Sequence, residues 1–167
     1  IEVDGEEVSA NKVEEALNDY IRATQINSAN PLGYEGKGNM YYKQGRFEEA
    51  LAELSQAINL NNQVFAYYLS RAKIYEKLNQ YDEAINDYTS YIALDSSNAS
   101  VYGARGDIYF KKGSYDEAIK DYTQSLAINN NDAQIYEHRG NAYRELGDLP
   151  SAIEDYKKAR DLKKIMS

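Results

Sequence analysis

The side chains best suited to chemistry are one histidine, His138, and a large number of carboxylates. The chain has no cysteine, and its 27 acidic residues outnumber 19 basic ones to give a net charge of −8. An imidazole beside carboxylates can act as a general base or bind a metal ion. The carboxylates recur at regular intervals instead of clustering, as Asp87, Asp121 and Asp155 show. We therefore predict no enzymatic activity, no catalytic residue, no metal and no cofactor, and we expect His138 to be a contact residue.

The regular interval is 34 residues, and it also explains an unusual aromatic composition of 17 tyrosines, three phenylalanines and no tryptophan. Alanine, tyrosine and small residues all recur at this spacing. The columns are Ala50, Ala84, Ala118 and Ala152; Tyr34, Tyr68, Tyr102 and Tyr136; Tyr41, Tyr75, Tyr109 and Tyr143; Tyr20, Tyr88, Tyr122 and Tyr156; and Gly38, Ala72, Gly106 and Gly140. We expect the small columns to let helices approach closely and the tyrosine columns to lie in the core. Together with Tyr81 and Tyr115, the columns contain 14 of the 17 tyrosines. Of the three outside them, Tyr42, Tyr67 and Tyr91, Tyr42 is expected to be the most exposed.

Within each period the sequence predicts two helices. Apolar residues follow helical spacing, as Leu51, Leu54 and Ile58 do in one second helix. First helices are expected to end at residues that can adopt the left-handed conformation, namely Gly45, Asn79, Gly113 and Gly147. Side chains that can accept a hydrogen bond from a helix N-terminus precede first helices at Asn30, Asn98 and Asp132. The pattern therefore predicts an all-α fold of paired helices.

The spacing and residue types resemble the tetratricopeptide repeat, whose pattern is W-x2-L-G-x2-Y, then A-x3-F, then P. One unit reads Tyr34-x2-Lys37-Gly38-x2-Tyr41 and then Ala50-x3-Leu54. The departures are consistent, because tyrosine replaces tryptophan, a basic residue replaces leucine, and the closing proline is absent. The resemblance covers about residues 11–164, and it implies a right-handed superhelical solenoid of antiparallel helix pairs with a concave binding surface.

The period predicts one domain over residues 1–167. We expect an acidic lead-in at 1–10, which could hold a short partial helix, and a half repeat at 11–30. Four full repeats follow at 31–64, 65–98, 99–132 and 133–166. The chain begins at Ile1 and has no polar capping helix after the last repeat, so we expect it to be cut from, or completed by, something else.

A basic column occupies the position that is leucine in the family pattern. Its members are Lys37, Arg71, Arg105 and Arg139. A matching acidic column is formed by Asp19, Glu53, Asp87, Asp121 and Asp155. A lone arginine in a core is costly, so we hypothesise that the columns pair, within a repeat or with its neighbour. The alternative is that the charged groups reach solvent past their apolar stems.

In the resembled family the first helix of each repeat lines the concave groove, and this implies a peptide-binding surface here. The asparagines of this surface could bind a peptide backbone, and Tyr42 and Phe110 could anchor apolar side chains. The predicted groove residues are Glu35, Asn39, Tyr42, Lys43, Leu69, Lys73, Glu76, Lys77, Asp107, Phe110, Lys111, Glu137, His138, Asn141 and Arg144. We therefore predict a protein-interaction scaffold that binds a peptide or protein segment.

The partner is further limited by charge and by motif. A chaperone C-terminal tail is not expected, because the carboxylate clamp of the resembled family is matched only at Asn39 in one alignment of the repeats, and only Lys73 is basic in the other. The net charge of −8 argues against nucleic acid. No apolar run is long enough to predict a membrane span, and the compartment is expected to be the cytoplasm or the bacterial periplasm.

The alternative to a peptide-binding scaffold is one that self-associates head to tail through its repeat ends. Residues 1–30 carry seven acids and two bases, whereas residues 157–167 carry five bases and one acid. This asymmetry favours contact between opposite ends of two copies.

Overall fold

The computed structural model describes the backbone of residues 3–166 and the side chains of residues 10–165. These residues form nine α-helices and no strand, which confirms the all-α prediction. The helices are α1 (Val3–Ile26), α2 (Pro31–Lys43), α3 (Phe47–Leu60), α4 (Phe65–Lys77), α5 (Tyr81–Leu94), α6 (Ala99–Lys111), α7 (Tyr115–Ile128), α8 (Ala133–Glu145) and α9 (Leu149–Met166). The expected lead-in is thus helical from Val3 onward and continuous with the helix of the half repeat, while residues 1 and 2 lie outside the described residues.

The first helices begin and end through the residues that the sequence indicated. The side chains of Asn30, Asn98 and Asp132 accept hydrogen bonds from backbone N–H groups two or three residues later. The three glycines at 45, 113 and 147 have φ of 73°, 76° and 81°, and Asn79 has φ of 57°. These left-handed residues reverse the chain within three residues, so each first helix connects directly to its second helix.

The described chain divides into two compact units, residues 1–90 (unit 1) and residues 91–167 (unit 2). In unit 1, one apolar cluster forms around Ala50, Leu54 and Ile74, and another around Ala57, Ile58 and Tyr67. In unit 2 a cluster contains the buried residues Ala118, Tyr122, Leu126, Ile135 and Ala142. Ala50 and Ala152 lie where the helices of a pair meet, because their backbone oxygens are close to Gly38 and Gly140.

The tyrosine columns are buried unequally. Tyr88 and Tyr122 are 2% and 1% exposed, as expected of core residues. Most members of the two columns that begin at Tyr34 and Tyr41 are only half-buried, although several of them, such as Tyr109 and Tyr136, pack against a core cluster. Some of these rings also flank the basic column, since the Arg139 guanidinium lies 5.6 Å from the ring centre of Tyr136 and 5.9 Å from that of Tyr143. A tyrosine ring in contact with a cation turns one face toward that cation, so this face cannot also pack against apolar core side chains.

The basic and acidic columns pair within each repeat, which confirms the pairing hypothesis. Arg71 donates from Nε and Nη2 to the two carboxylate oxygens of Asp87, each at 2.7 Å. The pairs Arg105–Asp121 and Arg139–Asp155 have the same two-bond geometry, and Lys37 lies 2.7 Å from Glu53. Asp19 is exposed and has no such partner among the described residues. The remaining Nη1 of Arg139 donates to Thr123 Oγ1 at 3.0 Å, so the arginine also connects its repeat to the preceding second helix.

No helix within residues 3–166 is both long enough and apolar enough to cross a membrane.

Candidate functional site

In unit 1, the first helices α2 and α4 enclose a small cavity of about 170 Å³. Its lining is Asn39, Tyr42, Ser70, Lys73 and Ile74, and we call it the unit 1 pocket. Three of these residues belong to the predicted groove set. The Tyr42 ring is half-buried and packs against Phe47 with a centroid distance of 5.8 Å. Of the tyrosines outside the columns it is the most exposed, as expected, since Tyr67 and Tyr91 are each 2% exposed.

In unit 2, the first helices α6 and α8 form a larger cavity of about 260 Å³, the unit 2 pocket. Its lining is Asp107, Phe110, Lys111, Tyr122, His138 and Asn141. Five of these six residues belong to the predicted groove set. Tyr122 was assigned to the core from its column, and it is indeed buried, but one face of the ring also closes the base of the pocket.

The two pockets occupy equivalent positions two repeats apart in the sequence. Asn39, Tyr42, Ser70 and Lys73 correspond to Asp107, Phe110, His138 and Asn141. The aromatic residue is retained, and in both pockets it packs against the aromatic ring five residues later. Phe110 meets Tyr115 edge-on at 5.3 Å, and Tyr42 meets Phe47 at a tilt at 5.8 Å. The polar residues differ between the pockets. The fold therefore provides the same cavity in both units, and the sequence gives each cavity its own chemistry.

Tyrosine hydroxyls from the second helices fix the polar side chains of the unit 2 pocket. The Tyr122 hydroxyl donates to Asp107 Oδ1 at 2.8 Å, and the Tyr156 hydroxyl donates to Asn141 Oδ1 at 2.8 Å. In each case the tyrosine lies 15 residues after its acceptor. Sequence reasoning missed this role, although the constant spacing between a tyrosine column and a polar first-helix position was a signal that could have revealed it.

His138 completes this network. Its Nδ1 lies 2.7 Å from Asp107 Oδ1, and its ring meets the Tyr122 ring edge-on at 5.9 Å. The neighbouring Asp107 carboxylate raises the pKa of His138 above its ordinary value, more than burial lowers it. Burial, with a further contribution from Asp107, also raises the pKa of the Tyr122 hydroxyl, which therefore remains a hydrogen-bond donor.

The other predicted groove residues do not line either pocket. The Glu137 side chain points toward α9, where its Oε1 lies 2.5 Å from Lys163 Nζ. Arg144 Nη2 lies 3.0 Å from Oε1 of the adjacent Glu145. Glu35 is half-buried, and burial raises the pKa of its carboxyl group. The other predicted groove residues that line neither pocket are Lys43, Leu69, Glu76 and Lys77. Position on a first helix therefore does not by itself bring a side chain to one of these two pockets, and ligand binding by the other groove residues stays a prediction.

A third cavity, of about 520 Å³, runs along α8 and α9 in unit 2. It surrounds the Arg139–Asp155 ion pair, and its lining also includes Tyr136, Tyr143 and Lys158. The guanidinium and carboxylate at its centre are already paired with each other through two hydrogen bonds.

The unit 2 pocket places an Asp–His pair beside an amide, a lysine and two aromatic rings. An Asp–His pair orients the imidazole and fixes which ring nitrogen faces outward. The lining contributes no serine, threonine or cysteine that the imidazole could activate. Across the residues that the structure describes, no group of three or more potential metal ligands comes together.

Family comparison identifies the repeats directly. A family profile described as "TPR repeat" matches residues 6–43, 38–79 and 106–143, and one described as "Tetratricopeptide repeat" matches residues 65–98 and 133–164. The chain belongs to the tetratricopeptide repeat family. It is an all-α repeat protein of the kind that serves as a protein-interaction scaffold.

Solved structures of other tetratricopeptide repeat proteins share this fold. A crystal structure of MamA has a TM-score of 0.88 and 20% sequence identity, with 99% of this chain and 97% of that chain covered. A MamA fragment from Desulfovibrio magneticus has a TM-score of 0.83 and 18% identity, over 91% of this chain and 86% of that chain. YrrB, titled "a TPR protein with an unusual peptide-binding site", has a TM-score of 0.83 and 22% identity, over 94% of this chain and 81% of that chain. No curated protein sequence matches the chain significantly.

Proposed function

We propose that the chain binds a peptide or protein segment at the pockets between its first helices. The observation that carries this proposal is the equivalence of the two pockets, each with one aromatic wall and a distinct set of polar groups. An aromatic side chain that is held in place and flanked by fixed polar groups is typical of a binding anchor. The peptide-binding site named for YrrB, a structural neighbour, adds support from the same fold.

The pocket dimensions favour recognition of individual side chains. Volumes of about 170 and 260 Å³ are smaller than the roughly 300–1,000 Å³ of pockets that take drug-sized ligands. Each pocket therefore fits one side chain of a longer ligand. The affinity would come from several such contacts together with the backbone of the ligand.

The test compares wild type with a pocket variant carrying Tyr42→Ala, Lys73→Ala, Phe110→Ala and Asn141→Ala. A library of random twelve-residue peptides with blocked ends is selected on the wild type, and affinities of the selected peptides are measured by titration. The control carries Gln56→Ala, Asn86→Ala, Lys120→Ala and Gln124→Ala, which are exposed second-helix positions with the same total change in charge. We expect the pocket variant to lose binding by tenfold or more and the control to retain it. Equal affinities of all three proteins would show that the pockets are not the binding surface.

A second candidate function is self-association, and we propose it on one observation about α9. Leu149 and Ile153 are 55% and 52% exposed, whereas Tyr115 and Ile119, at the equivalent positions of the preceding repeat, are partly buried against a core cluster. Exposed apolar side chains on one helix face favour contact with another copy. Bases near the end of the same helix, including Lys157 and Lys158, complement the exposed acids Glu14, Glu15 and Asp19 of α1 in that copy.

Sedimentation velocity in low salt tests this candidate. The wild type should increase in mass with concentration, and a Leu149→Gln, Ile153→Gln variant should remain a monomer. A wild type that is monomeric at every concentration would exclude self-association through this face.

A further inference from the structure

The hydrogen bonds around the unit 2 pocket engage two of its acceptor atoms and leave donor groups beside them. Asp107 Oδ1 accepts from both Tyr122 and His138, and Asn141 Oδ1 accepts from Tyr156. With its carbonyl oxygen engaged, Asn141 presents its NH₂ group to the pocket. With Nδ1 engaged, His138 presents Nε2, which donates when the imidazole is protonated. The proximity of Asp107 favours that protonated form.

The charges of the lining agree with this polarity. Asp107 contributes one negative charge, which is already engaged by a tyrosine hydroxyl and an imidazole. Lys111 contributes one positive charge, which balances that of Asp107, and protonation of His138 adds a second. The net charge of −8 of the chain acts from greater distances, and physiological salt screens charges beyond about 8 Å. The groups that line the pocket therefore decide which ligand it prefers.

The apolar part of the lining limits the shape of that ligand. The Phe110 ring is fixed edge-on against Tyr115, and the Tyr122 ring closes the base. Together they form a wall suited to methylene groups, and the donors lie beside it. A glutamate side chain has both parts in the required order, with two methylenes followed by a carboxylate, and an aspartate has a shorter version.

Building on the proposed peptide-binding function, we propose that the unit 2 pocket is a subsite for an acidic side chain of the bound peptide. The carboxylate accepts hydrogen bonds from Asn141 Nδ2, His138 Nε2 and Lys111 Nζ, while the methylenes pack against Phe110. A C-terminal carboxylate offers the same acceptor chemistry and is distinguished experimentally below. The equivalent unit 1 pocket has Lys73 and Ser70 but no histidine, and Tyr42 takes the place of Phe110 there, so the ligand preference of that pocket is set separately.

The test uses twelve-residue peptides with acetylated and amidated ends, selected on the wild-type chain from a random library. Each acidic residue of a selected peptide is replaced by glutamine in turn. We expect one such replacement to lower affinity by about tenfold, the effect of losing charge-assisted hydrogen bonds. A further peptide ends in a free carboxylate and carries no acidic side chain. This peptide should bind more weakly than the acidic one if the subsite takes side chains.

Two matched protein variants assign the effect to the pocket. Lys111→Met removes a charge that lines the pocket, whereas Lys112→Met removes the same charge from the exposed neighbouring position outside it. We expect Lys111→Met and Asn141→Leu to reduce the difference between the glutamate and glutamine peptides, and Lys112→Met to leave it unchanged.

The outcomes separate this inference from the proposed function. If the peptides lose affinity for the four-residue pocket variant but glutamate and glutamine peptides bind equally well, pocket binding stands and the acidic subsite is wrong. An equal effect of Lys111→Met and Lys112→Met, or preference for the free C-terminal carboxylate, also overturns the subsite. If no peptide responds to the pocket variant, the proposed function itself fails and the subsite fails with it.

Discussion

At the scale of single residues, the ion pairs of the arginine column matter because they are nearly buried. The side chains of Arg139 and Asp155 are 17% and 5% exposed, and two hydrogen bonds join them. The fold has removed both charges from water, so each depends on the other for compensation. Leucine at this position in the family pattern achieves the same burial without a partner.

We predict that Asp155→Ala lowers the free energy of unfolding by about 3 kcal/mol, because it leaves a guanidinium buried without its carboxylate. Arg139→Met combined with Asp155→Leu should recover most of this loss, since an apolar pair needs no charge compensation. Urea denaturation measures all three proteins. Arg160→Met is the matched control, because its ion pair with Asp161 is more than half exposed and should contribute little. Equal destabilisation by Asp155→Ala and Arg160→Met would contradict the account.

A second residue-scale prediction concerns the only histidine in the sequence, whose titration by NMR needs no assignment. We expect the folded chain to show a His138 pKa above the ordinary value of 6.5, and Asp107→Asn to lower it, because the Asp107 carboxylate is the main cause of the shift. A pKa that Asp107→Asn leaves unchanged would show that the Asp107 contact does not form in solution.

The same shift fixes the sign of a stability effect. Since the folded-state pKa lies above the unfolded value of about 6.5, the stabilisation is fully present below pH 6.5 and is lost as the pH rises through the folded-state pKa. His138→Phe should therefore differ most from wild type in urea midpoint at pH 5–6, and the two curves should converge at alkaline pH.

At the scale of helices, the close contact between the paired helices depends on small residues. A Cβ added at Gly106 would lie 2.8 Å from the Tyr122 ring, and one added at Gly140 would lie 2.8 Å from the Tyr156 ring. Ala72 fills the equivalent position in another repeat and is completely buried, so the column tolerates a methyl group only where its surroundings allow it.

We predict that Gly106→Ala destabilises the chain by about 1–3 kcal/mol through overpacking against Tyr122. The change should also weaken peptide binding at the unit 2 pocket, because a displaced Tyr122 no longer holds Asp107. Gly113→Ala is the comparison, since its cost comes from φ of 76° with no atom within 4 Å of the new Cβ. Gly113→Ala should lower stability without changing peptide affinity. A loss of affinity in both variants would mean that destabilisation alone is responsible.

The helices were predictable because their determinants are local or repeated. Asn98 shows this well, because an asparagine just before a helical pattern is typical of a helix N-cap, and its Oδ1 does accept from Ser100 N–H at 3.1 Å. The pairing of Arg71 with Asp87 was predictable since both columns keep the same spacing through the chain. The pocket was harder to predict. Tyr122 belongs by spacing to the core, and only the three-dimensional contact shows that its hydroxyl reaches Asp107.

Exposure of the other groove candidates also depended on three-dimensional packing. Glu137 and His138 are adjacent in the sequence and equally polar, yet one turns toward Lys163 and the other toward Asp107. The rotation of α8 against α6 and α9 decides this, and a one-residue step on a helix changes direction by about 100°. Sequence spacing therefore predicts which face of a helix lies toward the groove only to within one residue. Which of two adjacent residues reaches the pocket depends on how the helices pack.

At the scale of the whole molecule, each compact unit has its own apolar clusters, and repeat proteins are stabilised mainly by contacts between neighbouring repeats. A substitution that destabilises the core of one unit should therefore increase local unfolding mainly in that unit. Leu54 and Ile108 make a matched pair for this purpose, because each is completely buried and each lies in a different unit.

We predict that Ile108→Ala lowers stability by about 2–5 kcal/mol and increases amide hydrogen exchange mainly in α6–α9. Leu54→Ala should cost a similar amount but increase exchange mainly in α2–α4. Hydrogen–deuterium exchange with mass spectrometry on the full chain measures both patterns, at a denaturant concentration where each variant is still folded. Each substitution leaves a cavity where the buried side chain was, and this cavity removes packing contacts only from the repeats that surround it. If both variants instead raised exchange equally in all helices, the chain would unfold as one cooperative block, and the pockets of the two units could not be weakened independently by substitutions in their own cores.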